Sequence, residues 1–153
     1  MMLSVLASIL LSVNPPINIK ISNVTNNTPI EKVGDRPVVF GIKENLEEIL
    51  VGQGYNLDSN GMDVSVSLDK ISSPQRILNI MGLKWLKKDY IVTTQVCIGT
   101  GCFKGEAVRH TYVFAAFLDV ENNEVPLNKK AFSKALQKSL EDAATFRNNI
   151  NNE

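Results

Sequence analysis

The chain has 153 residues, 44% of them hydrophobic, with sixteen Lys and Arg balanced by sixteen Asp and Glu. That balance excludes the basic footprint of a nucleic-acid binder, and the length with no Gly/Ser-rich or Pro-rich divider indicates one folded domain. A single histidine and two cysteines leave little material for catalysis or metal binding.

Met1 to Val13 carry no charge and stop at Asn14-Pro15-Pro16. An apolar run of this length fits the h-region of an export signal, about 7–15 residues, and falls short of the roughly 20 needed to cross a bilayer. Residues 1–13 are therefore read as a leader, and residues 17–150 as one domain exported to the periplasm or envelope. Two alternatives stay open. The segment is a buried N-terminal element of a cytosolic protein, or it is retained and packs against a neighbour in a virion, tail or secretion complex.

Ile17 to Val24 alternate apolar and polar residues, the period of a half-buried strand. Thr25 to Pro37 are rich in turn formers and read as a loop. From about Val39 the period lengthens: Ile42, Leu46, Ile49 and Leu50 form one stripe of a helix that Gly52 and Gly54 end. After the turn at Asp58-Ser59-Asn60-Gly61, Met62, Val64, Val66 and Leu68 alternate with polar residues in a second strand. Strands at 89–98 and 102–118 follow, joined by Gly99-Thr100-Gly101 in a hairpin. Phe132, Leu136, Leu140, Ala143 and Ala144 trace a closing helix over 127–149, with Pro126 near its start.

The order β-α-β-β-β-α predicts an α+β two-layer sandwich. In it, a mainly antiparallel sheet of about four strands carries both helices on one face. The first strand pairs in parallel with a central neighbour through the helical crossover.

Cys97 and Cys102 should face each other across the hairpin. Their spacing suits neither a zinc site nor a Cys-x-x-Cys redox pair, which leaves a structural disulfide as the leading reading, with idle thiols or a redox or metal role as alternatives. The stretch from Arg76 to Lys88 reads as the longest connection. It is apolar, holds the only Trp and ends in lysines, a composition that marks contacts with partners or membrane surfaces. Ile80, Met81, Leu83, Trp85, Lys87 and Lys88 are the candidate contact residues, with a protein the first choice of partner and a membrane surface the second. The alternative is a strand extension or short helix laid over the open sheet face, hiding Ile80, Leu83 and Trp85 while the lysines stay wet. His110 reads as a surface strand residue with no oriented nucleophile, and Asp35-Arg36 as a salt-bridged turn. No catalytic, cofactor or metal residues are assigned.

With these elements in place, the chain resembles the YajG-like family of bacterial envelope proteins over about residues 17–150. The resemblance rests on the Ile17–Val24 strand, Asp35-Arg36, the helix ending Leu50-Val51-Gly52-Gln53-Gly54-Tyr55, the Met62–Leu68 strand, and Ala135, Leu136 and Leu140 of the closing helix. It implies a small α+β envelope domain without established activity. Members of that family look like lipoproteins with a Cys after the leader, and here no Cys precedes Cys97. The expectation is a non-catalytic exported protein that works by protein contact, with a structural subunit as the alternative.

Overall fold

The computed structural model describes residues 15–114 and 127–145. Its elements are β1 (Asn18–Asn26), β2 (Lys32–Val33), β3 (Arg36–Pro37), α1 (Val38–Gly52), β4 (Asn56–Leu57), β5 (Met62–Ser72), β6 (Gln75–Ile80), β7 (Leu83–Ile98), β8 (Gly101–Phe114) and α2 (Lys129–Ala144). The leader expected at 1–13, Pro126, and the outer ends of the last strand (115–118) and closing helix (146–149) lie outside the described residues.

The sheet is curled, mixed and six-stranded, which corrects the expectation of four mainly antiparallel strands. β1 does pair in parallel with β5 after the α1 crossover, as expected, and its lower end also pairs with the two-residue β4. β7 is the organising strand. One edge pairs with β5 and then with β6, and the other pairs with β8 from Trp85↔Phe114 to Ile98↔Gly101.

The larger correction concerns residues 76–88, which form no loop. From Lys70↔Thr93 to Ile80↔Leu83 the paired numbers always add to 163, so β5 and β6 are one strand interrupted at Ser73-Pro74. Pro74 has no N–H for the ladder, but its carbonyl still accepts from Asp89 N at 2.9 Å. The strand then reverses at Met81-Gly82, where both φ values are positive (50° and 79°), as a two-residue type I′ hairpin turn requires.

Both helices lie on one face, as the periodicity predicts. α1 buries Val38, Ile42, Leu46 and Leu50; α2 buries Phe132, Ala135, Leu136, Ser139, Leu140, Ala143 and Ala144. They share one cluster with Ile19, Val64, Val66, Leu68, Tyr90, Val92 and Val96 from the sheet. Each large apolar side chain buried here contributes about 1.5–3 kcal/mol before entropy is charged. α2 is fixed at its start as well. The Asn128 side chain accepts from Ala131 N at 3.0 Å, and Asn128 N donates to the Tyr90 hydroxyl at 2.8 Å.

α2 comes unusually close to β8 because small residues meet there. Ala135, Ser139 and Ala143 recur every fourth position on the buried face, and Gly105 lies beneath them. A Cβ on Gly105 would fall on the Ser139 carbonyl oxygen and 2.8 Å from Ala143 N.

Candidate contact surface

Strand pairing divides the sheet into two faces, since paired residues share a side and neighbours alternate. On β7 the even positions from Tyr90 to Ile98 meet the helices, and the odd positions face away. The helix-bearing cluster reaches no further along β7 than Tyr90. Beyond that point β6, the start of β7 and the end of β8 form a three-stranded arm, roughly 20 Å long at 3.3 Å per residue.

Cross-strand rows on the open face of the arm follow from the register. Ile80 stands opposite Leu83, Leu78 opposite Trp85, and Arg76 opposite Lys87; on the other edge Trp85 meets Phe114, Lys87 meets Tyr112, and Asp89 meets His110. The Trp85 and Phe114 ring centroids lie 5.0 Å apart at 55°, a tilted aromatic pair. Lys87 Nζ sits 5.9 Å from the Tyr112 ring centroid.

The candidate contact residues therefore divide. Ile80 and Leu83 are about half exposed, and Met81, on the turn, is 98% exposed. Trp85 and Lys88 are half-buried. Lys87 corrects the expectation that the lysines stay wet: it is only 8% exposed, because its ammonium is held 3.2 Å from Asp89 Oδ1 and beneath Tyr112.

His110 is the surface strand residue expected, exposed on β8, and the register gives it a partner. Its Nδ1 donates to Asp89 Oδ1 at 2.7 Å. Burial raises the Asp89 carboxyl, but hydrogen bonds and charge from His110 and Lys87 outweigh it and hold the group below its ordinary value. The dyad has the geometry of an oriented base, yet its neighbours in the ladder are Ile91, Val108, Lys87 and Tyr112, none of them an activated Ser or Cys. Further along the same ladder, Cys97 and Cys102 are joined in the expected disulfide, with Cα atoms 4.0 Å apart.

Among the described residues, no group of three His, Cys, Asp or Glu is placed to hold a metal, and no helix is long and apolar enough to cross a membrane. A concavity of about 190 Å³ opens between β3, α1 and α2, lined by Val38, Phe132 and Leu136 among others. Arg36 borders it and pairs at 3.2 Å with Glu44 on α1, which corrects the expected Asp35-Arg36 salt-bridged turn: the guanidinium ties β3 to the helix instead.

No family model and no curated protein match the chain. Among solved structures, it is similar to a minor lipoprotein from Acinetobacter baumannii, at 16% identity over 78% of this chain and 82% of that one, with a TM-score of 0.38. It is also similar to a hypothetical protein from Chlamydia trachomatis, at 8% identity over 84% of this chain and 93% of that one, with a TM-score of 0.47. At these scores neither neighbour carries an argument about what this chain does.

Proposed function

We propose that this protein is an exported, non-catalytic module that works by contact with another component of the envelope, using the end of its arm. The observation that supports this reading is the placement of Ile80, Met81 and Leu83, large apolar side chains left in water at the end of an ordered hairpin. Such side chains lower their free energy only by meeting an apolar partner surface. The disulfide supports the compartment, because structural disulfides persist in oxidising surroundings and are rare in the cytosol.

A photo-crosslinking amino acid placed at Met81, Leu83 or Tyr112 tests the reading in the cells that make the protein, with Glu48 and Lys134 on the helices as reference positions. Adducts should form from the arm and be absent from the helices. Equal yields at all five positions, or none at the arm, would refute the contact reading.

A further inference from the structure

We infer that the arm ends in a lipid-contact site, fitted to the surface of an anionic bilayer. This rests on the contact reading above and names the occupant.

Three observations favour lipid. The first is the turn itself. Type I′ turns select Asn, Asp or Gly because both central residues need positive φ. Here Met81 takes a φ of 50° and stands 98% exposed, so an apolar side chain is held in the least protected place on the hairpin. The second is that the exposed apolar side chains gather at the end of the hairpin itself: Ile80 and Leu83, each about half exposed, flank the turn directly, while Leu86 further back is buried. A bilayer takes up a hairpin by its end in this way.

The third is charge and depth. Arg76, Lys84 and Lys88 fall between Gln75 and Lys88 with no acidic residue among them, in a chain with no net charge, while Lys87 is buried and held by Asp89. Lys84 and Trp85 stand two to three residues behind Gly82, about 5–10 Å at the strand rise. That is the depth to which interfacial segments enter the boundary between headgroups and acyl chains. Sinking Ile80, Met81 and Leu83 thus places the indole and the first ammonium at headgroup level, where Trp and Lys are favoured and anionic lipids attract cations.

Trp85 is the only tryptophan, so its fluorescence reports insertion directly. The experiment titrates the purified, oxidised protein with phosphatidylcholine vesicles containing none or a third of phosphatidylglycerol. It follows the Trp85 emission maximum and co-sedimentation at low and high salt.

Expected are a blue shift and co-sedimentation with the anionic vesicles only, weakened by salt. Met81→Asp should abolish both signals with an unchanged melting temperature, and Lys84→Gln should weaken binding about five-fold. Lys130→Gln/Lys134→Gln, on the exposed face of α2, should bind like the parent. No binding to anionic vesicles would overturn the inference, as would binding that survives Met81→Asp or falls equally in the α2 variant. Arm crosslinks to a protein without vesicle binding would overturn it too, while leaving the contact reading intact.

Discussion

Gly105→Ala isolates the packing that holds α2 on the sheet. In open space this change restricts the unfolded chain and stabilises by about 0.4–1 kcal/mol. At Gly105 the new methyl would stand 2.8 Å from Ala143 N, where ordinary contact begins at 3.4 Å, and nearer still to the Ser139 carbonyl oxygen. Both neighbours are helix backbone, so no side chain can swing aside and α2 must lift. A radial gap of 0.5–1 Å already forfeits a quarter to a half of each dispersion contact, and the buried face from Phe132 to Ala144 would lose its fit together.

The cost should reach about 3 kcal/mol, the upper end for overpacking. For a chain of this size that lowers the melting temperature by about 6–12 °C. Gly41→Ala is the reference, since nothing lies within 4 Å of its added Cβ and it sits inside α1. It should raise stability by about 0.5–1 kcal/mol. Urea melts of the two variants decide the matter, and a Gly105→Ala protein as stable as the parent would refute the close approach of α2.

Three further outcomes follow from the same geometry. Asp89→Asn should cost about 2 kcal/mol at neutral pH, because it removes a carboxylate that accepts from the Lys87 ammonium and from the His110 ring. The depressed native value of Asp89 makes its stabilisation complete above the ordinary 3.8 and lost as pH falls through that native value; urea melts of parent and variant should therefore converge at low pH, and a gap that widens on acidification would contradict this. Thiol titration of the unfolded, unreduced protein should detect no free sulfhydryl, and reduction should cost about 2 kcal/mol for so short a loop without unfolding the domain. Leu46→Ala should cost about 2–5 kcal/mol at its fully buried site, whereas Met81→Ser should stay within about 0.5 kcal/mol by the same melts.

β1, α1, β5 and α2 are legible in the sequence because each buries one face, and burial on one face imposes a period. The β7–β8 hairpin is legible from its Gly-containing loop and its two cysteines. Once Cys97 faces Cys102, every pair in that ladder adds to 199, and Asp89 opposite His110 follows by counting. The signal for that dyad was thus present, in the register and not in any motif.

β6 is illegible for the opposite reason. Ile77, Leu78 and Ile80 fall on both parities, because the arm exposes apolar residues on both faces and no alternation arises. Its turn is Met-Gly, without the Asn or Asp that announces a hairpin. An isolated glycine within a strand signals close backbone approach, which fits Gly105, but which element approaches is settled only by the tertiary fold.

The most direct test of action by contact is complementation of a deletion strain by two variants. Met81→Asp leaves the fold and the Asp89–His110 pair in place and alters only the hairpin end; His110→Ala breaks the pair and leaves the hairpin end unchanged. Full rescue by His110→Ala with failure of an equally abundant Met81→Asp protein is the predicted result. Rescue by Met81→Asp with failure of His110→Ala would contradict the account.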